Sequence, residues 1–211
     1  MAERVDAEGL ARRLLGMTGT GRRAVCAVAG EPGSGKSTLA EAVVGRLNGE
    51  ASGTAALLPM DGFHYDDLHL VPAGLRPRKG APETFDVGGL RAALLRVRAA
   101  DEAFVAVPVF DRDLEVARAG ARLIPREVPV IVCEGNWLLL DREPWASLAP
   151  LFDLTVMVEV PEEELRRRLR ARWEHYGLSE DQIAWKLDGN DLPNGRTVYG
   201  ESRTVDLTVS A

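Results

Sequence analysis

One stretch constrains the fold before any other. The apolar run Ala24 to Ala29 breaks into GEPGSGKST, Gly30 to Thr38. A short apolar run ending at a glycine-rich turn predicts a strand buried on both faces. After it, Leu39, Val43, Val44 and Leu47 recur at helical spacing, so Lys36 to Leu47 reads as a helix. Strand, glycine loop and helix begin a βαβ unit, and with it a parallel sheet covered by helices.

The loop also fits the spacing G-x-x-x-x-G-K-[ST], through Gly30, Gly35, Lys36 and Ser37. Glycines let successive backbone N–H groups turn inward on phosphate oxygens, and the helix start adds its positive dipole end. Lys36 supplies a mobile charge for the outer phosphates, and Ser37 a hydroxyl for Mg²⁺. The bare backbone of Gly30, Glu31, Pro32, Gly33, Ser34, Gly35, Lys36, Ser37 and Thr38 is therefore expected to cradle the phosphates of ATP. A plain glycine-rich βα turn is the competing reading.

The rest of the chain repeats the alternation. Further strands are expected over Ala55 to Met60, Phe104 to Val109 (a hairpin candidate), Val128 to Cys133, Leu154 to Val160 and Thr204 to Val209. Helices are expected over residues 5–16, from Asp86 to about Val97, from Glu162 to about His175 and from Ser179 to Leu187. A glycine-rich break, Thr18 to Arg22, precedes the first long strand. Residues 62–85 are rich in Pro and Gly, and so long a loop in a compact domain is usually functional or disordered. The expected architecture is a three-layer α/β fold in one domain, 1–211. It has a mostly parallel five-stranded sheet, an insertion over about 62–112 and a lid over about 161–180.

Composition narrows the function classes. The net charge of −6 argues against general nucleic-acid binding but leaves room for a small phosphorylated ligand. No apolar run approaches the roughly 20 residues of a membrane span. The charged N-terminus is not read as a secretory signal. Cys26 and Cys133 lie inside apolar runs without metal-ligand spacing. Together these favour a cytoplasmic protein with neither nucleic acid nor membrane insertion among its partners.

In an open α/β sheet, ligands bind at the carboxyl ends of the strands. Two expected strands end at Asp61 and Glu134. Beside a triphosphate, one carboxylate can enter the Mg²⁺ shell with Ser37, and the other can accept the proton of an attacking hydroxyl. On the helix from Glu162, Leu165, Leu169 and Trp173 form an apolar stripe, with Arg168 and Arg172 beside it. Those two are the candidates to close over the transferring phosphoryl group. A solvated face pairing with Glu162, Glu163 and Glu164 is the alternative. Asn190 and Asn194, in NDLPN, are expected in the loop before the last strand, where amides reading a base edge and a turn with no contact are both open. His64 could touch the acceptor, His69 and His175 are read as surface or structural, and Trp137, Trp145, Trp173 and Trp185 as packing residues, with room for one of the four to line the pocket.

The segments GEPGSGKST, PMDGFHYDD, RKGAPETFDV, PVFDR and VIVCEGNWLLLD appear in the order found in P-loop kinases. The chain resembles those related to uridine kinase, phosphoribulokinase and bacterial pantothenate kinase, above all the bacterial branch labelled fructose transport system kinase. The resemblance covers nearly everything after residue 22. It implies Asp61 as general base, Glu134 at the Walker-B position, and Arg78, Lys79 and the PETFD stretch with Phe85 as acceptor-binding. It further implies that Asp111 and Arg112 face the acceptor, that the helix after Pro161 is a lid over ATP and that the loop with Asn190 and Asn194 cups the adenine. The implied reaction is transfer of the γ-phosphoryl group of MgATP to a hydroxyl of a sugar or nucleoside. A pantothenate-like acceptor, an ATP-driven switch and a regulatory ATP-binding protein stay open as alternatives. A homodimer, common in such kinases, is compatible with the resemblance.

Overall fold

The computed structural model describes residues 2–19 and 21–210; Thr20, inside the expected glycine-rich break, lies outside them. The elements in chain order are β1 (Glu3–Val5), α1 (Ala7–Leu15), β2 (Ala24–Gly30), α2 (Lys36–Glu50), β3 (Ala55–Pro59), α3 (Asp67–Leu70), α4 (Val87–Ala99), β4 (Phe104–Asp111), β5 (Val116–Pro125), β6 (Val130–Glu134), β7 (Leu154–Glu159), α5 (Glu162–His175), α6 (Glu180–Lys186), α7 (Leu192–Glu201) and β8 (Leu207–Ser210).

Six parallel strands form the sheet, in the order β1-β8-β7-β2-β6-β3. The expectation of five was one short. The missed strand is β1, whose sequence Glu-Arg-Val carries no apolar run; the expected first helix, 5–16, overlaps it only at Val5. It is held by pairing with β8 at the far end of the chain, Glu3 opposite Leu207.

β2 lies in the sheet interior and is buried along its whole length. Its side chains alternate between two cores, as the pleat requires. Val25, Ala27 and Ala29 join Leu58, Ile131, Leu90, Leu94, Trp137 and Trp145 on one face. Cys26 and Val28 join Leu10, Leu14, Val43, Leu47 and Leu165 on the other. Each large aliphatic side chain fully removed from water contributes about 1.5–3 kcal/mol, so the three layers are held by two apolar interfaces with the sheet between them. Among the described residues no helix is long and apolar enough to cross a membrane.

Two features place the site. The expected loop 62–85 is not structureless: it carries α3 and short 3₁₀ turns at Met60–Phe63, Arg76–Arg78 and Pro82–Thr84. The hairpin candidate is realised as β4 paired antiparallel with β5, so the region beyond the basic sheet runs to Pro125 and not to 112. The base of that hairpin is clamped by Arg23, 6% exposed. Its guanidinium donates to the carbonyls of Val97 (2.6 Å), Pro125 (2.7 Å), Arg126 (2.5 Å) and Val128 (2.7 Å).

Candidate active site

The glycine loop leaves β2 at Gly30 and enters α2 through Gly35, whose φ of +87° is a left-handed conformation that disfavours any side chain. Ser34 N–H donates to the Glu31 carbonyl at 3.0 Å and closes the turn. The loop's remaining N–H groups and the start of α2 thus present positive partial charge to one point. Lys36 is the first residue of α2. Burial lowers its pKa, opposed by the charges of Glu134 and Asp61.

β6 lies beside β2 and β3, with Glu134 in register with Val28 and with Pro59. The Glu134 side chain is therefore delivered to the head of α2, where its Oε2 accepts a hydrogen bond from Ser37 Oγ at 3.0 Å. The residue is 5% exposed. Burial, and then the charge of Asp61, push its pKa up.

Asp61 sits in the 3₁₀ turn directly after β3. Arg112, from the tip of the hairpin, donates to its Oδ2 at 2.6 Å. Burial alone would raise the Asp61 pKa; the positive surroundings of His64, Arg112 and Lys36 outweigh it and hold the carboxyl below its usual range. The same Arg112 brings the hairpin over the strand ends. His64 Nδ1 hydrogen-bonds the Asp61 carbonyl at 2.7 Å. Its ring lies 4.0 Å from that of Phe85 and 4.6 Å from that of Phe110, giving an aromatic wall.

A cleft of about 190 Å³ runs between the loop and this wall. Lys36, Ser37, Asp61, His64, Lys79, Phe85, Arg112, Arg172, Asn190 and Asn194 line it together, drawn from well-separated stretches of the chain.

Other expected residues stand elsewhere. Arg78 is largely exposed and pairs with Glu83 at 2.9 Å, outside the cleft. Asp111 also turns away. It accepts from Leu114 N–H, Asp113 N–H and Arg118 Nε, holding its own hairpin turn. β4 ends at Asp111 and Arg112 opens the hairpin turn, so the two side chains leave the backbone in different directions. Lys79 reaches the cleft but is tied to Asp67 Oδ1 (2.8 Å) and the Glu115 carbonyl (2.7 Å), which fastens the loop to the hairpin. Arg168 does not line the cleft. It donates to Glu164 at 2.7 Å and to the Ser34 carbonyl at 3.2 Å, so it ties α5 to the phosphate loop. Arg172, one turn further along α5, lines the cleft.

The expected adenine loop is helical: Asn190 lies in the π-helical turn Leu187–Asp191 and Asn194 in α7. The two side chains are buried and bonded to each other at 3.2 Å, which spends an amide group of each on the partner. Trp173 is the tryptophan that lines the cleft: it donates to Asp191 at 2.7 Å and packs on the cluster of Leu169, Ile183, Leu187 and Leu192; Trp185 is 49% exposed, unlike the buried Trp137 and Trp145. Phe110, Glu115 and Asn136 line the cleft without having been assigned. For Phe110 and Asn136 a signal existed, since both lie inside the quoted segments PVFDR and EGNW.

No family model matches the chain. It is 36% identical over 190 residues to the uncharacterized protein YggC of Escherichia coli K12, covering 89% of this chain and 78% of that one. A provisionally named uridine kinase of Schizosaccharomyces pombe is 29% identical over 196 residues, covering 89% of this chain and 83% of the relative. Among solved structures, a provisionally named fructose transport system kinase from Silicibacter sp. TM1040 superposes with a TM-score of 0.88 at 38% identity. That match covers 97% of this chain and 98% of the other.

Proposed function

This chain belongs to the P-loop kinases, ATP-dependent phosphotransferases acting on a hydroxyl, and from that premise we propose that its acceptor is a compact, sugar-like polyol. The observation that carries the reading is the cleft opposite the phosphate loop. The same cleft, of about 190 Å³, is lined on its other side by the phosphate loop, so that volume is shared between the donor phosphates and the acceptor. One wall is aromatic, through His64, Phe85 and Phe110, and suits the C–H face of a sugar. The opposite edge is polar, through Asp61 and Arg112. The fructose in the name of the Silicibacter relative agrees with a small polyol; the uridine in the name of the S. pombe relative is bulkier.

The chemistry follows from the geometry. Lys36 and the loop N–H groups neutralise the β- and γ-phosphates. Asp61, ionised at neutral pH, takes the proton of the acceptor hydroxyl. The acceptor oxygen then bonds to the γ-phosphorus while the bond from that phosphorus to the β,γ-bridging oxygen breaks, releasing ADP. Arg172 lines the cleft from α5 and offsets charge on the transferring group. The hydroxyl and carboxylate of Ser37 and Glu134, 3.0 Å apart, are hard oxygen donors that fit Mg²⁺. Held by those two groups, the ion would supply positive charge to offset the charge that develops on the phosphates.

The test is ADP release from MgATP against a panel of sugars, small hydroxy acids, nucleosides and pantothenate. ADP release that rises with a small polyol supports the proposal. Equal ADP release with every acceptor and with none identifies an ATPase switch and ends it.

A further inference from the structure

Lysine is scarce in this chain. Its 26 lysines and arginines include only three lysines, Lys36, Lys79 and Lys186, and all three line the cleft. Lys36 belongs to the phosphate loop, and Lys79 is tied to Asp67 and the Glu115 carbonyl. Lys186, the last residue of α6, has no such task. It is half-buried, and among the described residues no salt bridge joins it to a carboxylate. Its ammonium instead lies over two indole rings, 5.1 Å from the centroid of Trp173 and 5.8 Å from that of Trp185.

The packing around Lys186 joins it to the phosphate loop. Leu169, Ile183, Leu187 and Leu192 form a small core of their own, with Trp173 against it. That core is seated on the loop: a Cβ on Gly33 would lie 3.0 Å from Leu169 Cγ. Trp173 donates to Asp191 at 2.7 Å, which ties α5 to the turn that follows α6. Lys186 and Arg172 are thus carried to the cleft by one unit fastened against Gly33. Asp191 feels the charge of Lys186, but burial disfavours its charged form and Trp173 takes one of its oxygens. A cation over an indole at a partly exposed site is held weakly. A phosphate oxygen offers the same ammonium a charge-assisted hydrogen bond, which is stronger.

We infer that Lys186 is a phosphate-binding residue, which leaves the two indoles and pairs with the phosphate chain of ATP. This deepens the kinase reading and rests on it. Lys36 meets the chain from the loop, and Lys186 meets it from α6. Lysine suits the task, because its ammonium is a point charge on a flexible four-carbon stem and can change partners while the helix stays in place. The side chain makes and breaks no covalent bond; it exchanges one partner for another. Its departure takes a cation from the faces of Trp173 and Trp185, so the arrival of the polyphosphate is registered in tryptophan emission.

The experiment measures, on the full chain, dissociation constants for AMP-PNP with Mg²⁺ and for inorganic tripolyphosphate by titration calorimetry, with tryptophan emission recorded alongside. Lys186→Met keeps the stem and removes the charge, and is expected to weaken both ligands by about tenfold or more. Lys186→Arg restores a cation and is expected to return both to within about threefold of the unaltered protein. Saturating AMP-PNP should shift the emission of the unaltered protein, and most of that shift should be lost in Lys186→Met. Tripolyphosphate has neither base nor sugar, so weaker binding of it assigns the contact to phosphate. Unchanged affinity for both ligands in Lys186→Met overturns the inference. So does an equal loss in the methionine and arginine variants, which marks a packing role, and so does a loss confined to AMP-PNP, which moves Lys186 to the nucleoside. Emission of the unaltered protein that saturating AMP-PNP leaves unmoved overturns it as well, whether or not the methionine variant folds. Failure of the unaltered protein to bind AMP-PNP sinks the kinase reading too. ADP release indifferent to every acceptor ends that reading alone.

Discussion

The two halves of the cleft are built from different materials. The phosphate side consists of consecutive residues, Gly30 to Thr38, whose backbone provides the contacts, with Glu134 as its one distant carboxylate. The acceptor side consists of side chains from the 3₁₀ turn after β3, the loop with α3, the hairpin and the end of β6. Long-range ion pairs hold it together: Asp61 with Arg112, and Asp67 with Arg76 and Lys79. Backbone amides grip any polyphosphate alike, so the first half fixes the donor class. Side chains can be exchanged one at a time without disturbing the loop, so the second half is where specificity resides.

The comparison can be broken most forcefully at Lys36. Lys36→Ala removes the mobile charge of the phosphate loop itself, and kcat/KM for ATP is expected to fall by about 10³-fold. Steady-state kinetics unaltered by that change would mean that the backbone grips ATP unaided. Next comes Asp61→Asn, which keeps the shape and removes the base. Turnover should drop by about 10²-fold with nucleotide affinity little changed; a matching loss of ADP binding by calorimetry would move Asp61 to the phosphate side.

Arg112→Met probes the link between the halves, with a smaller effect of about tenfold on turnover near neutrality. Its signature is in the pH profile. His64, Arg112 and Lys36 together outweigh burial and hold the Asp61 carboxyl below its usual range, Arg112 through both its charge and its hydrogen bond, so the intact protein keeps this carboxyl ionised into acid. Without Arg112 the acidic limb of kcat/KM should move to higher pH, and an unmoved limb would show that Arg112 does not tune the base.

The smallest effect is expected at Glu31. Burial and the nearby Glu162 charge raise its carboxyl from 4.5 to about 7. A raised carboxyl binds its proton more tightly in the folded state. Its contribution is full below pH 4.5 and is lost as pH rises to about 7. The melting temperature of the unaltered protein should therefore fall relative to Glu31→Gln across that window. Parallel curves would show that the strain on the phosphate side is not electrostatic.

Legibility followed the same division. The loop, the strand before it and the helix after it are local, and each could be read from a few consecutive residues. Asp61 and Glu134 were legible because each closes an apolar strand, and the parallel sheet brings such ends to one edge. The arginines were not legible in this way. Arg168 and Arg172 lie on the same side of α5, but only the packing of Leu169 on Gly33 decides that one meets the Ser34 carbonyl and the other the cleft. Asp111 and Arg112 are adjacent in sequence, but β4 ends between them: Asp111 holds the hairpin turn and Arg112, in that turn, reaches Asp61. Asn190 and Asn194 looked like loop residues because Asn, Asp, Pro and Gly favour turns; tertiary packing overrode that propensity and wound them into helix.

What the sequence by itself determined is the phosphate grip, the parallel α/β frame and the two carboxylates at its rim. Backbone geometry and strand endings are properties of short stretches, so the order of residue types suffices to specify them. Only the tertiary structure decided that Arg112 meets Asp61 and that Arg172 and not Arg168 lines the cleft. Those are contacts between residues tens of positions apart, and their partners are chosen by strand register, helix docking and the return of the hairpin over the sheet.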